Sequence, residues 1–357
     1  MNNRFTVDTD ACRGELLFAR IHRLCLTGNF PGVRLLFTLS LLGFTSCTQQ
    51  SFTPDMPERN AERHEITLYG SLGDIDSEVT PATRGDADPT KAMILCFARV
   101  ERNISSGAWV NYFSGGDAPV GYYSATRAAG TGNQAITFTA TQYYPMGKLY
   151  GQESANSYNE IRFIGWSPVH TTIASTRNEV IISSANGTND IMLSNEVTGS
   201  YSSPFTSSAN QFTFRHVLSK IIVWCKAADA AAPAAWGNVT DINVSNQYAS
   251  YNVVLTSGSV TGATPASHSL EGFSAKTLTT SYVNCGQLFI NPSGSALTLN
   301  VTTVRGDTRA VTVRLASGTF TAGNAYNIYL DFKSTAITPS ASVTAWGSGG
   351  NLPVEAL

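Results

Sequence analysis

Six cysteines and five histidines are the residues of this 357-residue chain best equipped for nucleophilic, metal-binding or acid–base chemistry. Their spacing assembles none of these. Cys96, Cys225 and Cys285 do not stand as CxxC and have no close Cys or His neighbour of the kind that zinc needs. No GxSxG elbow, HExxH pair or phosphate-binding glycine loop occurs. The carboxylates are scattered through turn-like segments, so no glycosidase pair can be chosen. His64 and His268 lie in polar, turn-like context, and His170 follows a proline in a loop. His216, in QFTFRHVLSK, shares a strand face with Phe212 and Phe214. A histidine on such a face most often holds a backbone group in a core or at an edge. The expectation is a protein that is not an enzyme and takes no cofactor and no metal.

Two positions carry a different chemistry. In RLLFTLSLLGFTSC (34 to 47), Arg34 leads an apolar run that breaks on Gly43 and ends in small residues before Cys47. The run is shorter than the ~20 apolar residues a membrane-spanning helix needs. It fits the apolar core of an export signal. A cysteine just after the small residues resembles the lipobox of bacterial lipoproteins, in which the peptide is cut before the cysteine and that cysteine is acylated. Residues 1 to 46 then form the leader, Cys47 is the lipidation site, and all that follows lies outside the cytoplasm. Residues 47 to 63 are polar, contain two prolines and lack periodicity, as a flexible tether does. The second position is Arg84, in EVTPATRGDADPTK, a loop rich in turn formers. An exposed arginine there is a good site for a trypsin-type protease. RGD occurs at Arg84-Gly85-Asp86 and at Arg305-Gly306-Asp307, and the turn reading is the stronger for both. The second falls between two strand-like runs, where a hairpin needs residues tolerant of positive φ.

The elements that must present these residues are strands. Charged residues are only 13% of the chain, and Ser, Thr, Asn and Gly dominate the polar positions, as in extracellular β proteins. After residue 46 the chain keeps 18 Lys and Arg against 22 Asp and Glu. With no basic stripe, nucleic acid is excluded as a partner. Cys96 and Cys225 sit in apolar runs and read as core thiols. One disulfide among Cys96, Cys225 and Cys285 is allowed, its pairing left open by the sequence.

Short β-rich runs recur after residue 64, separated by Gly, Asn, Ser and Asp. They include HEITLYGSL (64 to 72), AMILCFARVE (92 to 101), AWVNYF (108 to 113), AITFTATQYY (135 to 144) and QFTFRHVLSKIIVWCKA (211 to 227). VTDINVSN (239 to 246) and ASYNVVLTS (249 to 257) read as two separate strands. In RAVTVRLAS (309 to 317), Val311, Val313 and Leu315 face one way and Thr312 and Arg314 the other, which is the pattern of an antiparallel sheet over a core. The alanine-rich stretch 227 to 236 is at most a short helical loop, interrupted by Pro233. The serine-rich interval YSSPFTSSAN (201 to 210) marks a boundary, giving β domains at 64 to 205 and 206 to 357. Two sandwiches are favoured over barrels. Trp166 and Trp224 read as core residues; Tyr143, Tyr144, Trp236 and Trp346 are not grouped into a glycan platform.

Four pieces then resemble the fimbrillin-like (type V pilin) proteins of Bacteroidetes. FTFRHVLSKIIVWCKA resembles the F-x-H-x-x-(S/A)-K stretch that opens their second domain. RFIGWSP resembles the aromatic–proline strand end near the close of their first domain. NDIMLSN resembles the D-[IL]-[LM] stretch between those two. FTAGNAYNIYLDFKSTAITPSASVTAW resembles their C-terminal pattern. The resemblance implies an all-β protein with two transthyretin-like antiparallel β-sandwich domains behind a lipoprotein signal peptide. It implies a pilus subunit or accessory at the cell outer membrane, surface-exposed or within the fimbrium, that supports adhesion. Its implied partners are other pilin subunits through strand donation, the outer membrane through the lipid, and a host or bacterial surface receptor. In such proteins a trypsin-like protease cuts behind the first strand, and a neighbour's strand fills the opened groove. Mapped here, Arg84 is the processing site, and Ile66, Leu68, Gly70 and Leu72 plug the groove beforehand. The alternative reading is a surface glycan-binding lipoprotein of a nutrient-uptake system, which would keep its N-terminus.

Overall fold

A computed structural model describes residues 64–73, 91–103, 106–109, 111–113, 122–145, 159–169, 171–173 and 178–345. Cys47, Arg84, His170 and Trp346 lie outside the described residues. In chain order the strands of the first half are β1 (Leu68–Ser71), β2 (Met93–Glu101), β3 (Tyr123–Arg127), β4 (Gln134–Phe138), β5 (Ile161–Ser167), β6 (Thr171–Ile173), β7 (Glu179–Ser183), β8 (Met192–Ser194) and β9 (Val197–Gly199). They are followed by β10 (Phe212–His216), β11 (Ser219–Ala227), helix α1 (Ala232–Trp236), β12 (Val239–Val254), β13 (Val260–Ser269), β14 (Val283–Ile290), β15 (Ala296–Thr303), β16 (Thr308–Arg314), β17 (Asn324–Lys333) and β18 (Ala336–Ala345). The all-β class is as expected, and apart from β1–β10 and β11–β17, the pairings are antiparallel.

An eight-stranded sheet runs in the order β2-β3-β4-β1-β10-β8-β5-β9. Because β2 also pairs with β5, the path from β2 through β1 and β5 returns to its start. Closing a sheet on itself removes the open edges that would otherwise recruit other strands. Inside the circuit lies an aromatic-rich core. The Phe97 ring meets the rings of Phe138, Phe163, Phe212 and Phe214 edge-on at centroid distances of 5.3–6.2 Å, the arrangement favoured by the aromatic quadrupole.

Strands β2 and β5 are buried on both faces. Leu95 and Phe97 enter the aromatic core, while Cys96, Ala98 and Val100 enter a second core with Trp166, Ile182, Tyr251 and Val253. Two-sided burial explains why the LCFA stretch of β2 is continuously apolar rather than alternating; Ile94, just before it, stays exposed. The second core is covered by β7 and the far half of β12, which pair from Ser183↔Ser250 to Glu179↔Val254.

A four-stranded sheet, β14-β11-β17-β18, and a six-stranded one, β16-β15-β12-β7-β6 with β13 on β12, enclose the third core. Ile221, Val223 and Cys225 of β11, Leu297, Leu299 and Val301 of β15, and Ile328, Leu330 and Phe332 of β17 alternate into it. This is the sandwich logic of facing inner residues.

Several local expectations change. QFTFRHVLSKIIVWCKA is two strands, not one; it breaks at Val217–Leu218 and passes from one sheet to another. Conversely, 239–254 is one strand, carried through Asn246 (φ 56°) by register shifts that let it bend. Strand β13, VTGATPASHS, lacked an apolar run and was not expected. The described residues of AWVNYF form no strand: the Tyr112 hydroxyl donates to Glu196 at 2.5 Å, and Arg162 lies 4.0 Å from the centre of the Trp109 ring. Strand β4 ends at Phe138, and Ala140 turns outward. Trp224 is only half-buried, its indole N–H donating to Asn327. His268, expected in a turn, is buried on β13 against the Tyr248 carbonyl (3.0 Å). Residue 205 falls between β9 and β10, which belong to one sheet.

Candidate functional site

The candidate site is the slot occupied by β1 and its approach, residues 64–72. Burial alternates without a break: Ile66, Leu68, Gly70 and Leu72 point inward, and Glu65, Thr67, Tyr69 and Ser71 do not. Leu68 and Leu72 are fully buried, and Ile66 nearly so, in the aromatic core. Each such side chain gains about 1.5–3 kcal/mol from leaving water, so the three together are a large share of a domain's net stability.

The backbone is satisfied on both sides. Against β4 the register is Leu68↔Ile136, Tyr69↔Ala135 and Gly70↔Gln134, antiparallel. Against β10 it is Gly70↔Phe212 and Ser71↔Thr213, parallel. The approach is tied as well: the Ile66 N–H donates to the Gln142 carbonyl at 2.8 Å, and the Tyr144 N–H to the His64 carbonyl at 3.0 Å. The His64 ring stacks on Tyr201 at 3.8 Å. Lifting 64–72 out would open the circuit and expose two edges, β4 and β10.

Gly70 sits where β1 closely meets its neighbours. A Cβ there would stand 3.0 Å from Ile136 Cδ1 and from the Phe212 carbonyl oxygen. The carbonyl of Gly70 accepts from Arg127 Nε at 3.1 Å. Arg127 is fully buried and also donates to the carbonyls of Ala128, Gly130 and Gly132. A buried guanidinium needs its donors used. One of these acceptors, the Gly70 carbonyl, belongs to the slot strand, and a main-chain oxygen is a feature that any strand there could supply.

The wall opposite β4 is fixed by a buried pair. His216 Nδ1 and Asp190 Oδ1 lie 2.9 Å apart, both side chains almost fully shielded. His216 ends β10 and Asp190 immediately precedes Ile191 and β8, so the pair locks the strand that lines the slot to the next one. Sequence reasoning gave His216 a backbone partner; the structure gives it a carboxylate. No local signal links residues 26 apart in sequence. Ser219 and Lys220, from the same motif, are also buried, and Ser219 Oγ donates to the Thr321 carbonyl at 2.7 Å.

Among the described residues no group of three or more His, Cys, Asp or Glu could hold a metal. Likewise, no helix there is long and apolar enough to cross a membrane. Trp166 and Trp236 are buried, and Arg162 covers Trp109. The second RGD forms the β15–β16 turn, with Gly306 at φ 84°. Arg305 donates to the Ala234 carbonyl, and Asp307 lies 3.6 Å from Arg309.

The fimbrillin-like family model matches residues 111–346, well over half of the chain. The chain belongs to the fimbrillin-like family. Within this family assignment, the fold is similar to a crystal structure of a candidate cell adhesion protein from Bacteroides uniformis, with TM-score 0.51, 19% identity, and 79% of this chain and 98% of that one covered. The tip fimbrial protein Mfa3 from Porphyromonas gingivalis, with C-terminal truncation, aligns at TM-score 0.41 and 10% identity over 79% of this chain and 100% of that one. A fimbrial assembly protein from Parabacteroides distasonis aligns at TM-score 0.43 and 11% identity, over 79% and 98%. No curated protein sequence matches the chain.

Proposed function

We propose that this fimbrillin-like protein is a fimbrial subunit or accessory whose segment 64–72 is a removable plug, replaced on the cell surface by a strand from a neighbouring subunit. The carrying observation is the slot itself: β1 is an interior strand of a closed circuit, paired on both sides, and with its flanking residues it inserts Ile66, Leu68 and Leu72 into the core. Interior strands are normally permanent. This one is first in its sheet and joined to β2 by the polar segment that contains Arg84. Cleavage after Arg84 would detach everything before it, leaving β1 held only by non-covalent contacts. The vacated slot would show unpaired main-chain groups and an apolar channel, and an added strand satisfies both.

On this reading export as a lipoprotein through Cys47 delivers the subunit to the outer membrane, and cleavage releases lipid, tether and plug together. Strand exchange on this reading is confined to the eight-stranded sheet, whose slot is lined by β4 and β10. Low-dose trypsin-like protease on the folded protein tests this. The expected result is one cut after Arg84, loss of 64–72 and appearance of SDS-resistant oligomers, all absent in Arg84→Ala. Cleavage elsewhere only, or surface assembly by Arg84→Ala equal to wild type, contradicts it.

A further inference from the structure

The fold brings together two cysteines that the first-strand reading leaves unused. Cys225 of β11 and Cys285 of β14 are both fully buried in the third core, with sulfurs 2.9 Å apart. A covalent S–S bond is about 2.05 Å, so less than an ångström separates the pair from bonding distance. The strand register explains the approach. Val223 faces Gly286 and Trp224 faces Asn284, leaving Cys285 as the extra residue of a bulge. The bulge has its own cause: Gly286 adopts φ 123°, and a Cβ there would lie 2.4 Å from the Glu271 carbonyl oxygen. Asn284 Oδ1 accepts the Gly286 N–H at 2.7 Å and holds the turn. Cys285, two positions from the residue directly opposite Cys225, is thereby swung across to it. Cys96 lies in a different core, its thiol 3.9 Å from the Val169 carbonyl.

We propose that Cys225 and Cys285 are joined as a disulfide in the exported protein. Residues on the outside of a cell meet an oxidising environment in which such pairs persist. The chemistry is two thiol–disulfide exchanges with an external disulfide, low-molecular-weight or protein-borne. One deprotonated cysteine attacks it, forms a mixed disulfide and expels a thiolate; the second cysteine then attacks the first one's sulfur and expels the other thiolate. The external disulfide takes both electrons, and the two protons given up by the cysteines end on the expelled thiolates, which leave as two thiols. In the folded protein the hydrogen bond to Cys285, and burial, push the Cys225 thiol above its ordinary range and keep it protonated. The bond therefore closes while β11 and β14 are docking, and afterwards is shielded from reductants. It clips a 60-residue separation that contains α1, β12 and β13. β12 contributes to two cores, so the bond would stop the segment that ties them from being drawn out.

The full chain is recovered from the cell surface into denaturant with N-ethylmaleimide and its peptides are mapped. The expected result is a linked pair carrying Cys225 and Cys285, with Cys96 alkylated. Alkylation of both Cys225 and Cys285, or a linkage through Cys96, overturns the proposal. A second readout does not depend on recovery of native activity. When single molecules of the surface-isolated protein are stretched, Cys225→Ser/Cys285→Ser should lengthen by about 20 nm relative to wild type, since each freed residue adds about 3.3–3.6 Å. Equal extensions overturn it.

Discussion

At the scale of single residues, two contacts govern the slot and a third ties the loop after β11 to the β17–β18 turn. Gly70 is the first, with a backbone oxygen as one of the neighbours a side chain would meet. Gly70→Val should lower stability by about 1–3 kcal/mol, the ordinary cost of overpacking, seen as a reduced denaturation midpoint; an unchanged midpoint would show that the slot has spare room. The His216–Asp190 pair is the second. Removing one partner costs the other a buried hydrogen bond, a loss of about 1–3 kcal/mol. His216→Leu with Asp190→Leu should cost less than the two single changes summed, as a double-mutant cycle would measure. The third is Asp229, which accepts the Ala231 and Ser334 N–H groups at 3.0 and 2.8 Å. The Ser334 bond, first among the causes, lowers its carboxyl below the ordinary value. A lowered folded value stabilises above the unfolded value and is lost as pH falls through the folded one. The difference in Tm between wild type and Asp229→Ala should therefore be largest near neutral pH and shrink below the ordinary Asp value of about 3.9. A difference that persists in acid would contradict this.

At the scale of elements, β1 differs from the other interior strands in what ties it to the chain. Its two sides are ordinary sheet hydrogen bonds, and its inward face is three aliphatic side chains and a glycine. A synthetic peptide of residues 64–73 should therefore rebind a protein cut after Arg84 and raise its melting temperature. The same peptide with Leu68→Asp should not, because an unpaired carboxylate would enter the aromatic core. Equal rescue by both peptides would mean that the inward face does not set affinity. Arg127 adds a requirement of its own, a main-chain carbonyl in register with that of Gly70. Any replacing strand meets it if its register is right.

At the scale of the whole molecule, the sequence revealed classes better than junctions. Alternation at 309–317 identified the inward face correctly because that strand has one wet side, and at 135–144 it did so as far as Phe138. It could not show that β2 and β5 bury both sides, since a continuous apolar run is silent about what lies on each. The unbroken run 211–227 hid a change of sheet at Val217–Leu218, because both strands are equally apolar. β13 was invisible because its residues are largely exposed and polar, and its pairing with β12 is main-chain. Of the site, Ile66, Leu68 and Leu72 were named through the resemblance, and what the structure adds is their burial in the aromatic core. Arg127, His216 with Asp190, and Cys225 with Cys285 were not legible, because each depends on partners that only the topology brings together.

The most direct test of the central reading is the N-terminus of the protein taken from assembled surface fibres. Mass spectrometry of the N-terminal peptide should show a chain that begins at Gly85, with HEITLYGSL no longer covalently attached. An intact peptide spanning Arg84 in those fibres would contradict the account, for the plug would then still be in place.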